Sequence, residues 1–181
     1  MAHYDGQGLA GDGSHYPGAN DNASGVGVML EVASELARRQ SELPISVVFA
    51  ALGAEEIGMR GASELVQHPP IPLERVALAV NLDMEGAGDG SLTVQTTSAD
   101  MPAYRRLTAL ASRRNITTKP YVRTQLGADA DVVQAAGVPT LFIVTGGTEH
   151  HTVHDDMSNV SRQTMANVTG LLEEFIAGYA G

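Results

Sequence analysis

Five short segments of this chain carry side chains suited to holding a cation. They are His3-x-Asp5, Asn20-Asp21-Asn22, Glu55-Glu56, Asp83, and His150-His151 followed by Asp155-Asp156. Alone, each is ordinary: an Asp ahead of a helix commonly caps it, and a Glu-Glu or His-His pair commonly sits in solvent. Together they are harder to explain as surface. Carboxylates gathered at one place repel one another unless something positive neutralises them, and Arg60 is the only basic residue close to these segments in sequence. A divalent metal is the simplest counter-charge. The chain has no cysteine, so disulfides and thiolate sites are excluded and any metal is held by oxygen and imidazole nitrogen. That donor set suits zinc, with manganese or cobalt as substitutes.

The elements that must position these residues can be read from hydrophobic spacing. After a Gly-, Asp- and Asn-rich loop over 5–22, Val26, Met29, Leu30, Ala33, Leu36 and Ala37 recur at helical spacing and predict a helix over 23–39. Ile45–Leu52 and Val76–Leu82 are nearly continuous apolar runs, the pattern of strands buried on both faces. Ser91–Thr97 alternates and predicts a more exposed strand, and Thr140–Val144 a fourth, buried one. Helices are expected over Gly61–His68, from an Asp100 cap to Arg113-Arg114, over Asp129–Ala136, and over Val160–Tyr179. Strands alternating with helices predict an α/β fold, a three-layer α/β/α sandwich around a mixed, mostly parallel sheet. Ligands in such folds bind beyond the carboxyl ends of the strands, where Glu55-Glu56, Asp83 and His150-His151 fall.

Length and charge bound the rest. The 181 residues suit a single domain over 1–181. A formal net charge of −10 argues against nucleic acid or an anionic membrane as partner, since their phosphate fields would repel the chain. No apolar run of 18 residues is present, so no helix is expected to cross a membrane. With no Trp and 4% aromatics, the core is expected to be aliphatic. Met1-Ala2 runs straight into His3 with no strand expected before it, which places His3 at a terminus prone to fray and suggests an N-terminally truncated domain.

In order along the chain, the segments read His3-x-Asp5, Gly18-Ala19-Asn20-Asp21-Asn22-Ala23-Ser24-Gly25, Gly53-Ala54-Glu55-Glu56-Ile57-Gly58-x-x-Gly61, Asn81-x-Asp83-Met84, and His151-x-x-x-Asp155-x-x-x-Asn159. In these motifs the chain resembles the zinc aminopeptidases of peptidase family M28, over most of its length. The resemblance implies two zinc ions. Asp21 would bridge them, His3 and Asp83 would complete one, and Glu56 and His151 the other. Glu55 would be the general base, Asp5 would accept the second ring N–H of His3, and Asp155 would help place its loop. The Asp21–Asn22 peptide is implied to be cis. Substrates would be peptides with a free N-terminus, and the family context suggests a secreted or periplasmic protein, although no signal peptide is present in this chain.

Departures from the family pattern are specific. The strands that members carry ahead of the His-x-Asp motif are lacking, which would leave a strand position to be filled by another segment or by a homo-oligomer. A usual Ser-Asp-His reads Ala128-Asp129-Ala130, and a usual Tyr ahead of the last histidine is His150, which could donate to substrate in its place. His15, His68 and His154 read as loop or surface residues, with His15 a possible lining of the entrance. Gly6-x-Gly8-x-x-Gly11 matches a dinucleotide-binding pattern but has neither the strand before it nor the helix after it. No Gly-x-Ser-x-Gly or His-Glu-x-x-His occurs, against a serine hydrolase or a helix-based zinc protease. Two other readings stay open: a single-zinc enzyme of glutaminyl-cyclase type, and a binding module of the same fold without catalysis.

Overall fold

The computed structural model describes residues 1–98, 101–122 and 127–179. The strands among them are β1 (Ala2–His3), β2 (Ala51–Leu52), β3 (Ala79–Leu82), β4 (Leu92–Thr96), β5 (Thr118–Val122) and β6 (Thr140–Val144). The α-helices are α1 (Gly25–Arg38), α2 (Arg60–Gln67), α3 (Pro102–Arg113), α4 (Ala128–Ala135) and α5 (Arg162–Ala177).

β1 pairs parallel with β2, β3 with β6 and β4 with β5; β4 and β6 are antiparallel. Two hydrogen bonds join the β1–β2 pair to the larger sheet: the Met1 ammonium donates to Val80 O at 2.7 Å, and Leu82 N to Met1 O at 2.9 Å. The strand order is therefore β2-β1-β3-β6-β4-β5, a mixed and mostly parallel sheet.

Alternation along β6 shows how the layers form. Leu141 and Ile143 enter the main core with α1, α3 and α5, built on Val28, Val32, Leu36, Leu107, Leu171 and Phe175. Phe142 and Val144 point the other way and pack with Ala130 of α4. A strand so placed is buried on both faces, hence its unbroken apolar run. This is the three-layer sandwich expected from the sequence. The core is mainly aliphatic but also encloses Tyr104, Phe142 and Phe175.

Several boundaries differ from the sequence reading. β2 covers Ala51–Leu52, the end of the apolar run, and residues 45–50 lie ahead of it outside any assigned strand. That stretch lines an apolar groove of about 490 Å³ with Met1, Leu78, Val80 and Phe175. β3 begins at Ala79 rather than Val76, opposite Thr140 at the start of β6. β4 is less exposed than expected: Leu92, Val94 and Thr96 are buried, since the strand lies between β6 and β5. β5 was not anticipated, because Pro120 interrupts the run; it is tolerated at the sheet's edge, where β5 pairs with β4 alone. The expected Asp100 cap lies outside the described residues.

The terminus corrects another expectation. Ala2 is fully buried and His3 is 1% exposed. Ala2 N donates to Ala50 O and Tyr4 N to Leu52 O, so the segment expected to fray is wedged between β2 and β3.

Candidate metal centre

The chain leaves β1, β2, β3 and β6 at one edge of the sheet, and each exit delivers a polar segment there. His3 ends β1 and Asp5 follows it; after β2 come Glu55 and Glu56; after β3, Asp83; after β6, the loop carrying His150 and His151. The turn over Ala19–Ser24, which leads into α1, brings Asp21. Three of the six non-glycine residues with positive φ among those described flank or form this edge: Ala54, Met84 and His151, each at φ 58. Left-handed backbone at such residues is uncommon and turns the chain sharply where candidate ligands must be aimed.

Two groups of ligand atoms result. In the first, His3 Nε2 lies 3.3 Å from Asp21 Oδ1 and 3.4 Å from Asp83 Oδ1. In the second, His151 Nε2 lies 3.2 Å from Asp21 Oδ2 and 3.0 Å from Glu56 Oε2. The two carboxylate oxygens of Asp21 are thus divided, one to each group. Glu55 belongs to neither.

The backbone around Asp21 is held firmly. Asp155, 2% exposed, accepts from Asn20 N at 2.8 Å with one oxygen and from Asp21 N at 2.9 Å with the other. Asn22 donates to Leu82 O and accepts from Gly25 N and Met84 N, and Asn20 accepts from Gly86 N. The Asp21 turn is thereby tied to the end of β3, which carries Asp83. The Asp21–Asn22 peptide is cis, as the resemblance implied.

Asp5 has a broader part than expected. His3 Nδ1 faces its main-chain carbonyl at 3.3 Å and its carboxylate at 3.5 Å. The same carboxylate accepts from Glu55 N at 3.1 Å and Glu56 N at 3.2 Å, fixing the turn on which the two glutamates sit. Adjacent side chains on that turn point to different places, Glu56 into the second group and Glu55 beside it. Gly61 permits the turn: its N donates to Gly53 O, and a Cβ there would press into the Gly53 backbone, 2.8 Å from its nitrogen. His150 is exposed and stands edge-on to His151, ring centroids 5.2 Å apart.

Electrostatics of the protein groups alone show crowded negative charge. Burial raises the pKa of Asp83, with Asp21 adding to it, and raises that of Glu56 likewise. Burial pushes Glu55 up to about 7, with Asp83 and Asp129 adding to the rise against the pull of His3. Burial opposes charge on His3, but its contacts with Asp21 and Asp83 prevail and lift it to about 11. His3 Nε2, Asp83 Oδ1 and Glu56 Oε1 are buried without a hydrogen-bond partner. Carboxylates and imidazoles converging with unsatisfied buried ligand atoms form a donor set that zinc fits.

The sequence reading missed three polar residues here. Gln7 Nε2 donates to Glu56 Oε2 at 2.5 Å. Asp129, on the first turn of α4, and Glu85 are fully buried with no partner for any carboxylate oxygen. Burial raises Asp129 to about 6, aided by Asp83 and Asp5 against the pull of His3, and raises Glu85 well above the usual range, aided by Asp83. Nothing in sequence marks Gln7. The acids read as a helix start and a loop residue, because their burial is purely tertiary.

Comparison with known proteins follows the same lines. The family model described as peptidase family M28 matches residues 1–176. The chain belongs to peptidase family M28. It is 30% identical over 167 residues to aminopeptidase YwaD of Bacillus subtilis, covering 86% of this chain and 36% of that protein. Among solved structures it is similar to a zinc aminopeptidase from Bacillus subtilis, with a TM-score of 0.76 and 26% identity over 97% of this chain and 44% of the other. It shares its fold with a glutaminyl cyclase from Bacteroides thetaiotaomicron, with a TM-score of 0.81 and 20% identity over 98% of this chain and 71% of that one. The chain thus spans less than half the length of these two aminopeptidases.

Proposed function

We propose that this M28 chain acts as a two-zinc aminopeptidase, removing the N-terminal residue of peptides, with Glu55 as the proton carrier. The observation that carries this reading is the division of Asp21, whose Oδ1 faces His3 and Asp83 while Oδ2 faces His151 and Glu56. One carboxylate shared between two ligand groups is what a pair of ions needs and what a single ion does not. His3, Asp21 and Asp83 would hold one zinc, and Asp21, Glu56 and His151 the other. When bound, such ions acidify water and polarise the scissile carbonyl.

The chain's own residues then have distinct tasks. Glu55 stands outside both groups on a turn fixed by Asp5, so its carboxylate is free to accept a proton from the attacking water and return it to the departing amine. The substrate's free α-amine would be received at the metal site and its nearby acids, which selects an N-terminal residue. His150, exposed beside His151, is available at the rim to donate to the substrate carbonyl.

Replacing Glu55 by Gln tests this. Leucine p-nitroanilide hydrolysis is expected to fall about 10²–10⁴-fold, with zinc content by plasma mass spectrometry staying at two per chain. Unchanged turnover in the variant would remove Glu55 from the mechanism. One zinc per chain in the wild type, with conversion of N-terminal glutamine to a cyclic product, would replace the aminopeptidase reading.

A further inference from the structure

We propose that Gln7 is a positioning residue for the second ligand group, holding the Glu56 carboxylate turned toward His151 and Asp21 and so tightening that group's grip on a divalent cation. The proposal rests on the two-ion reading of the site.

Gln7 is carried by the loop between β1 and the Asp21 turn. That loop folds back on itself: Leu9 and His15 form an antiparallel bridge, Tyr16 N donates to Gly8 O, Ala10 N to Ser14 O, and Asp12 accepts from Ser14 N. These bonds place Gln7 at the base of a small hairpin, beside the site. Its amide Nε2 reaches Glu56 Oε2 at 2.5 Å and stands 3.4 Å from His151 Nε2. Oε2 is the same oxygen that meets His151 Nε2. The other oxygen, Oε1, has no partner.

Asp5 fixes the main chain of Glu56 but leaves its side-chain torsions free. Among the described residues, the groups that fix the direction of this carboxylate are His151, itself half-exposed, and the Gln7 amide. The first group differs in kind. His3 is almost wholly enclosed and gripped by Asp5, Asp21 and Asp83, and no contact links it to Gln7. Loss of the Gln7 donor should therefore weaken one group and spare the other. The amide nitrogen is 2.5 Å from Glu56 Oε2 and 3.4 Å from His151 Nε2, so its stronger contact is with the carboxylate. The amide sits beside the ligand pair, in the place of an orienting donor.

Residues that orient metal ligands typically change affinity by about 10–100-fold when removed. The test is zinc titration of metal-free wild type, Gln7→Leu and Gln7→Ala against a chromophoric chelator, reading two dissociation constants. Cobalt absorption spectra serve as a second readout of ligand geometry. Both variants are expected to bind one zinc as the wild type does and the other about 10–100-fold more weakly, with an altered cobalt spectrum. Gln7 is exposed, so their circular dichroism and metal-free melting should match the wild type. Two unchanged constants, or a tighter second site, would overturn the role of Gln7 alone. A wild type that takes up fewer than two ions would instead remove the reading of the site beneath it.

Discussion

Asp155 offers a sharp test of how the site is built, because its carboxylate receives main-chain N–H groups of the Asp21 turn. Its carboxylate receives Asn20 N at 2.8 Å and Asp21 N at 2.9 Å, in a place that is 2% exposed. Hydrogen bonds to a charged group contribute roughly 1.5–3 kcal/mol each. Asp155→Ala removes both acceptors and strands two buried donors, so it should cost about 3–6 kcal/mol. Asp155→Asn keeps one acceptor and sets its amide N–H₂ against the other backbone N–H, so about 2 kcal/mol should be lost. Removing one negative charge from an acidic chain works in the opposite direction, but only weakly at 0.15 M salt. Urea unfolding of the metal-free protein, followed by circular dichroism, reads the effect. With a slope of about 2 kcal/mol/M, Asp155→Asn should lower the midpoint by about 1 M and Asp155→Ala by more. Because Asp21 serves both ligand groups, both zinc affinities should fall together, unlike the one-sided loss expected at Gln7. An Asp155→Asn protein with the wild-type midpoint, or an Asp155→Ala protein no less stable than Asp155→Asn, would refute the reasoning.

Two further outcomes are expected. Between about pH 4 and 7 the metal-free folded chain binds more protons than the unfolded one, since burial lifts Glu55 to about 7 and Asp129 to about 6; its stability should fall as pH rises through that range and go on falling above pH 6.5, where the contribution of His3, lifted to about 11, begins to be lost. Melting temperatures across pH 4.5–8.5 check this: zinc should reverse the trend, Asp129→Asn should raise metal-free stability at pH 8 by about 1–3 kcal/mol, and a flat metal-free profile would contradict it. Gly61→Ala should cost about 1–3 kcal/mol by pushing α2 off the Gly53 backbone, and because that turn carries Glu56, calorimetry should show zinc lost from the second group before the first.

How much of this was legible in the sequence depends on which physical constraint left a trace there. The α/β layering was legible, since burial on both faces forces an unbroken apolar run such as Thr140–Val144. The residues that meet at the sheet edge were legible as acids and imidazoles in the segments that follow the strands, and the turn carrying Glu55 and Glu56 leaves its trace in Gly61. The edge strand β5 was not, because Pro120 breaks the pattern that would mark it. Burial of polar groups was not legible either, and it governs the site's electrostatics. Asp129, on α4, and Glu85, two residues beyond Asp83, are fully buried and raised in pKa, and nothing in the sequence marks that burial. Their position has a consequence. Every acid packed near Asp83 without a cation of its own raises the cost of the ionised ligand set in the metal-free chain and increases what a divalent ion relieves on binding. The same enclosed carboxyls that weaken the empty fold at neutral pH therefore strengthen the coupling between metal binding and stability, and that coupling comes from residues outside the ligand set itself.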